Sequence, residues 1–149
     1  MEAIIFIGIQ GSGKSTFFRE RLFGTHVRIN LDMLKTKHRQ ELLLEACLKG
    51  KQRFAVDNTN ITVESRAEFV RRAKLEGFRV AGYYFKSEIA GALERNRRRI
   101  DDERIPDVGI YGTYARLELP RWEEGFDELN YVRIDESGNF VVEAWRDEI

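Results

Sequence analysis

The chain lacks several features that identify whole classes of protein. It has one cysteine, which excludes an internal disulfide, and only two prolines in 149 residues, unlike a proline-rich disordered segment. No apolar run approaches the roughly 20 residues that cross a membrane. The N-terminus also lacks the basic region and small-residue cleavage site of a secretory signal. We therefore expect a soluble, cytoplasmic protein with no membrane partner.

The formal net charge is zero, but the charges are unevenly distributed. Residues 1–106 contain 21 Lys and Arg against 14 Asp and Glu, whereas residues 107–149 contain 4 against 11. A basic part is compatible with a phosphate-rich ligand, although chance asymmetry on a solvated surface explains the counts equally well. The two histidines, His26 and His38, lack the spacing of a zinc site.

Hydrophobic patterning predicts alternating strands and helices over the first hundred residues. The predicted strands are 3–7, 26–29, 54–56 and 78–85, and the predicted helices are 15–22, 33–49, 62–76 and 87–99, followed by a helix near 108–118 and a hairpin of strands 131–134 and 140–142. Thr62 and Ser87 are the expected helix caps. This alternation predicts one α/β domain, residues 1–149, with a mostly parallel sheet and helices on both faces.

The strongest functional motif follows the first strand. Residues 8–15, GIQGSGKS, match the phosphate-binding pattern G-x-x-x-x-G-K-[ST] at every fixed position. Glycines let successive backbone N–H groups point at phosphate oxygens, and the following helix adds its positive N-terminal dipole. Lys14 is expected to reach the β- and γ-phosphates, and the Ser15 hydroxyl to hold Mg²⁺. The predicted ATP-binding residues are Gly11, Ser12, Gly13, Lys14, Ser15 and Thr16.

Phosphoryl transfer also needs a carboxylate that orients the acceptor hydroxyl and takes its proton. Asp32 follows the second predicted strand and Asp57 ends the third, which places both at the carboxyl edge of a parallel sheet, beside the phosphate loop. The structural alternatives are a helix N-cap for Asp32 and a turn residue for Asp57. Their shared placement favours function for each.

Arginines are concentrated at the end of the predicted helix 87–99. Arg95 and Arg99 lie four residues apart and share a helix face, with Arg97 and Arg98 between them. Such a run is often only a solvated face. Its position before a polar stretch at residues 101–107 suggests a lid that closes on ATP and stabilises the charge of the transferred group.

These motifs together resemble the polynucleotide 5′-hydroxyl kinase family, in particular the kinase domain of polynucleotide kinase/phosphatases, over roughly residues 3–135. The resemblance rests on an ordered series of segments: residues 8–16, 29–32, 50–51, 56–60, 65–66, 95–99, 105–106 and 111–112, with Pro120 and residues 124–126. It implies a P-loop kinase fold, a three-layer sandwich with strand order 2-3-1-4-5, and a lid.

The resemblance also implies roles for individual residues. Asp32 corresponds to the general base, and Lys14 with Arg95 or Arg99 stabilises the transferred phosphoryl group. Ser15 and Asp57 correspond to metal ligands for Mg²⁺. Lys35, Asn58 and Arg66 are the candidate contacts to a DNA or RNA 5′-OH end, as in nucleic acid repair. Leu31 departs from the family, which usually has arginine there, and neither a phosphatase motif nor an obligate protein partner is expected.

Two other functions stay open from the sequence. A kinase of a small-molecule hydroxyl (nucleoside, sugar, nucleotide-sugar or antibiotic) uses the same base and lid, and a non-catalytic ATP-binding module needs only the loop. No Asn-Lys-x-Asp guanine motif is present, which disfavours a GTPase. Tyr111, Tyr114 and Trp122 could stack on a base, but their pattern is more typical of core residues. No chemistry is predicted for the segment after residue 130.

Overall fold

The structure is a computed structural model that describes residues 1–100 and 103–147. Its strands are β1 Glu2–Ile7, β2 Val27–Ile29, β3 Phe54–Val56, β4 Arg79–Phe85, β5 Glu128–Ile134 and β6 Phe140–Ala144. Its helices are α1 Lys14–Arg21, α2 Leu31–Leu34, α3 Lys37–Lys49, α4 Val63–Leu75, α5 Ile89–Arg97 and α6 Asp107–Arg116, with a 3₁₀ turn at Trp122–Glu124. The α/β class predicted from the sequence is confirmed.

All six strands form one sheet in the order β2-β3-β1-β4-β5-β6. The first five strands are parallel and follow the predicted order 2-3-1-4-5, while β6 pairs antiparallel with β5 at the edge. The predicted order omitted this sixth strand. The turn before β6 is too short for a parallel crossover, so the chain can only reverse direction. We propose that residues 1–149 are one domain, because the strands share this sheet.

Helices cover both faces of the sheet. The β1 strand is buried on both sides, and residues 3–7 are at most 1% exposed. One apolar cluster joins β1, β3 and β4 to α3 and α4, and includes the buried thiol of Cys47. A second cluster joins Phe6 and Phe85 to Phe17 and Phe18 of α1 and to Phe140 of β6. The faces of the sheet are therefore covered, and the carboxyl ends of its strands stay open to a ligand.

Two local predictions are wrong. The predicted helix 33–49 is two helices, because Lys35 has a left-handed φ of 74° and Thr36 starts α3 afresh by accepting a bond from Arg39 N at 3.2 Å. Ser87 does not cap α5: its hydroxyl accepts a bond from Ile9 N at 3.2 Å instead. Thr62 caps α4 as expected, in a reciprocal capping box with Ser65.

The predicted polar stretch 101–107 begins with residues 101 and 102, which lie outside the described residues. In the part of the chain that is described, none of the helices combines the length and the apolar character that a membrane crossing requires.

Candidate active site

The phosphate loop connects β1 to α1 through backbone conformations that favour glycine. Gly11 has φ 77° and Gly13 has φ 100°. A Cβ on Gly11 would come within 2.7 Å of the Ala92 carbonyl oxygen of α5, and one on Gly13 within 3.1 Å of Phe140. The β5–β6 hairpin thus packs directly against the loop. This contact gives the segment after residue 130 a structural role that the sequence did not indicate.

Lys14 is buried at the start of α1, and its ammonium group is held inside the loop. Its Nζ donates to the carbonyl oxygens of Gly8 at 2.9 Å and Ile9 at 2.7 Å. Burial lowers the pKa of Lys14 to about 8; the charge of Asp57 opposes this shift, that of Arg99 adds to it and that of Asp32 opposes it. The charges of three predicted site residues therefore act on one ammonium group.

Ser15 and Asp57 meet at the carboxyl end of β3. The Ser15 hydroxyl donates to Asp57 Oδ2 at 2.9 Å, and the Asp57 side chain is only 2% exposed. A hydroxyl and a carboxylate are the hard oxygen ligands that Mg²⁺ prefers, so this pair fits the expected metal. Among the described residues no group of three His, Cys, Asp or Glu side chains forms another metal site.

Arg28 joins this pair and was missed in the sequence. Its Nε donates to Asp57 Oδ2 at 2.8 Å and its Nη2 donates to Ser15 Oγ at 2.9 Å. The one available signal was a charged residue in the middle of the short strand β2, between Val27 and Ile29. That signal does not reveal the partners of Arg28, because β2 and α1, the helix that contains Ser15, come together only in the folded protein.

Asp32 is exposed in the first turn of α2. The N-cap of that helix is Asn30, whose Oδ1 accepts from Met33 N at 2.8 Å, so the alternative reading of Asp32 as the cap is excluded. The Asn30 amide also donates to the Asp57 carbonyl oxygen. The helix that carries Asp32 is therefore hydrogen-bonded, through its N-cap Asn30, to the backbone of Asp57 at the end of β3. The side chain of Asp32 itself faces solvent.

The predicted acceptor contacts beside Asp32 differ in how they are held. Asn58 Oδ1 accepts from Leu31 N at 2.8 Å and its amide donates to Gln40 at 2.9 Å, so Asn58 holds the first residue of α2. Lys35 is exposed at the end of the same helix. Of the two, Lys35 is the side chain that an incoming acceptor can reach without breaking a hydrogen bond to α2.

The arginines of the lid segment divide into two pairs. Arg95 and Arg99 are half-buried, and Arg95 Nε donates to the Gly11 carbonyl oxygen of the phosphate loop. Arg97 and Arg98 are exposed and lie 3.8 Å from Asp107 and 2.8 Å from Glu94, respectively. Burial lowers the pKa of Arg95. Helix α5 ends at Arg97, so Arg95 and Arg99 do not share a helix face as predicted; Arg95 contacts the phosphate loop from α5, and Arg99 follows the helix as the other arginine whose charge is near the loop.

Arg66 has a structural position, and the expected acceptor contact is corrected. Its side chain is 0% exposed and forms a two-pronged ion pair with Glu124 at 2.8 and 2.9 Å. Its Nη1 donates to the carbonyl oxygens of Asn60 and Glu118 at 2.8 and 3.0 Å. The guanidinium group is enclosed by these partners, so a polynucleotide cannot reach it.

Four other predicted positions lie at the surface. Thr16, the last predicted residue of the ATP site, is exposed and accepts a bond from Arg19 at 3.3 Å. The interpretation of Tyr111, Tyr114 and Trp122 as core residues is wrong, since they are 51%, 45% and 46% exposed. Helical spacing placed the two tyrosines on one face but could not say whether that face is covered.

The phosphate loop lies between a buried strand and a helix. Asp57 at the end of β3 contacts Ser15, Asp32 lies in the first turn of α2, and Arg95 of α5 contacts Gly11 of the loop. Together these features define a P-loop kinase. Comparison with known proteins agrees. The chain belongs to the AAA domain family, whose profile matches residues 4–110.

Two relatives make the assignment more particular. The chain is 27% identical over 135 residues to the bifunctional polynucleotide phosphatase/kinase of Schizosaccharomyces pombe. It is 32% identical over 138 residues to a protein of Acanthamoeba polyphaga mimivirus whose name assigns it provisionally to the same class. Each match covers 88% of this chain and 33% of the relative, so the chain spans about a third of their length. The resemblance predicted from the motifs is confirmed.

Solved structures of the same fold have more varied names. Kti12 of Chaetomium thermophilum, in complex with ADP-AlF3, matches with a TM-score of 0.68 at 18% identity, over 91% of this chain and 92% of that one. A gluconokinase of Sinorhizobium meliloti 1021 matches with a TM-score of 0.64 at 19% identity, over 91% and 83%. At these identities the likeness shows the fold alone.

Proposed function

We propose that the protein transfers the γ-phosphoryl group of ATP to the 5′-OH end of a polynucleotide. The observation that carries the proposal is the exposed Asp32 carboxylate in the first turn of α2, a helix whose N-cap Asn30 donates to the carbonyl oxygen of Asp57, the residue that contacts Ser15 of the phosphate loop. An acceptor hydroxyl that enters from solvent can meet Asp32 while the triphosphate lies along the loop. The two curated relatives support a polynucleotide as the acceptor.

Each residue would have a defined task in the transfer. Asp32 accepts a hydrogen bond from the acceptor hydroxyl and takes its proton as the new O–P bond forms, while the bond from the γ-phosphorus to the β–γ bridging oxygen breaks and ADP leaves. Lys14 leaves the Gly8 and Ile9 carbonyl oxygens for the phosphate oxygens, and Arg99 approaches the transferred group from the segment just after α5. Ser15 and Asp57 would hold Mg²⁺, which supplies neutralising charge to the phosphates when bound.

The test is transfer of label from γ-labelled ATP to three acceptors in parallel: a 5′-OH DNA oligonucleotide, a 5′-OH RNA oligonucleotide and a pool of metabolite alcohols. We expect label at a 5′ end, and a 10²- to 10⁴-fold lower rate, as an order of magnitude, in Asp32→Asn, because that substitution removes the base. Asp147→Asn, a change of an exposed carboxylate after β6, is the matched control.

Salt dependence distinguishes the acceptor class. Affinity for a polynucleotide should fall steeply as salt rises, since bound phosphates release counterions, whereas a small alcohol should show little dependence. Absence of end label above the Asp32→Asn level with both oligonucleotides would remove the proposal.

A second candidate is a kinase of a small-molecule hydroxyl. Leu31 next to the base, where the resembled family usually has arginine, favours it, because an apolar residue cannot contact an acceptor phosphate. A gluconokinase has the same fold, which supports the view that this fold can serve a kinase of a small-molecule hydroxyl. ADP formation that depends on a member of the metabolite pool, without end labelling, is the outcome that selects it.

A further inference from the structure

Arg28 links three elements around the proposed metal ligands. It projects from the middle of β2 and contacts Asp57 at the end of β3 and Ser15 in α1. Its Nη1 also lies 3.8 Å from the sulfur of Met33, next to Asp32 on α2. Among the described residues it is the cation that forms a salt bridge with Asp57. Neither the resemblance nor the comparisons assign it a role.

The oxygens that Arg28 binds are those that Mg²⁺ would need. Asp57 Oδ2 accepts from both Arg28 Nε and Ser15 Oγ, and the lone pairs of Ser15 Oγ receive Arg28 Nη2. Magnesium requires near-octahedral oxygen ligands at about 2.0–2.1 Å. A guanidinium group and a divalent ion cannot share such oxygens, because the two cations would repel strongly at this separation.

We propose that Arg28 is a built-in counterion that exchanges with the divalent metal at Ser15 and Asp57. The carboxylate at the end of β3 is almost fully buried, and a buried charge without a partner is strongly unfavourable. Arg28 supplies the partner in the metal-free site, and a bound divalent metal would replace it on the same oxygens.

The position of Arg28 allows such an exchange. Its side chain is 27% exposed, against 2% for Asp57, so the guanidinium can swing into solvent while the carboxylate stays in place. Release would also end its contact with Met33, on the helix that carries Asp32. Metal binding is thereby coupled to α2 through one side chain. The inference rests on the proposed metal role of Ser15 and Asp57, and is independent of the acceptor.

The test measures the metal dependence of ADP binding, without an acceptor and without turnover. The dissociation constant of a fluorescent ADP is determined in EDTA and in Mn²⁺, and the value in EDTA divided by the value in Mn²⁺ gives the metal coupling. Arg28→Met should raise this ratio at least tenfold over the wild type, because the metal no longer competes with an internal cation. Arg28→Lys, which keeps the charge but cannot bridge both oxygens, should lie between the two.

Two controls separate the possible failures. Arg53→Met removes an exposed arginine just before β3 and should leave the ratio within twofold of the wild type, so it accounts for general charge effects. Asp57→Asn should abolish the Mn²⁺ effect. If Asp57→Asn does so while Arg28→Met leaves the ratio unchanged, the exchange is overturned and the metal ligands stand. If Mn²⁺ has no effect on the wild type, the proposed ligands and the exchange are both overturned.

Thermal unfolding provides a second readout that does not need nucleotide. Without metal, Arg28→Met should unfold at a lower temperature than the wild type, and Mn²⁺ should restore more of the loss than it adds to the wild type, since Asp57 then regains a cation. A variant that is equally stable with and without Mn²⁺ contradicts the counterion role.

Discussion

The two sides of the nucleotide site hold their charges in different ways. On the strand side, formed by the loop 8–15 and the end of β3, Lys14 and Asp57 are buried and bonded to neighbouring protein groups. On the lid side, formed by residues 95–99, the arginines are half-buried or exposed. Groups enclosed by the sheet keep one position, whereas groups on a surface helix can move toward a ligand. We propose that the strand side binds the nucleotide and that the lid side closes over it.

Arg66 lies outside both sides, and its removal is expected to have the largest effect on stability. It ties Asn60, after β3, to Glu118 and Glu124, after α6. Arg66→Met should lower the free energy of unfolding by about 3–5 kcal/mol, because it leaves Glu124 as a buried charge without its partner. Urea denaturation measures this.

The matched control for Arg66 is Arg71→Met on the same helix. Arg71 is exposed and pairs with Glu68 three residues earlier, and exposed ion pairs of this kind add little to stability, so its loss should be much smaller than that of Arg66→Met. A loss below about 1 kcal/mol in Arg66→Met would mean that this ion pair does not hold the segment after α6 to the segment after β3.

The lid side should show a graded series. Arg99→Ala is expected to lower kcat by roughly 10²- to 10³-fold if its guanidinium stabilises the transferred group. Arg95→Ala should have a smaller effect, because Arg95 bonds to the Gly11 carbonyl oxygen and so supports the loop. Arg98→Ala should change kcat little, since Arg98 pairs with Glu94 at the surface. Steady-state kinetics with the acceptor that proves active gives kcat for the three variants. Equal losses of kcat at Arg98 and Arg99 would refute the division into two pairs.

The smallest expected effect is on the strand side, where nucleotide binding should be linked to protonation of Lys14. Lys14 loses its proton near pH 8 in the folded protein, and bound phosphates must raise its pKa again. Nucleotide binding should therefore take up a fraction of a proton above pH 8 and almost none at pH 7, and affinity should fall as pH rises through 8. Calorimetry in two buffers of different ionisation enthalpy measures the uptake.

Lys14→Arg is the control for this linkage, because arginine stays charged throughout the range and should show no uptake. The same lowered pKa affects stability with a definite sign. Below pH 8 the buried charge of Lys14 destabilises the fold, and from pH 8 to about 10.5 this contribution fades because the unfolded chain binds the proton that the folded protein has lost. Proton uptake at pH 7 as large as at pH 8.5 would contradict a lysine pKa near 8.

The pattern of residues was sufficient for much of the fold. The alternation of apolar strands and amphipathic helices predicted the parallel sheet, and Thr62 as an N-cap predicted the start of α4. The break between α2 and α3 could not be predicted in the same way. Leu34 and Leu42 fit one continuous helical period, and the residue with the left-handed φ at the break is Lys35 and not a glycine. Exposure of Tyr111 and Trp122 was equally hidden, since periodicity defines a face and not its neighbours.

What the sequence alone determined is the phosphate loop, because its chemistry is local: eight consecutive residues contain the glycines, the lysine and the hydroxyl. What the tertiary structure decided is the set of partners around it. Arg28, Ser15 and Asp57 are 13 to 42 positions apart along the chain and meet only where β2 and β3 end beside α1. Arg66 looked like a substrate contact until folding enclosed it with Glu124, 58 positions away. Contacts between distant segments depend on how the sheet orders its strands, and no local pattern encodes that order.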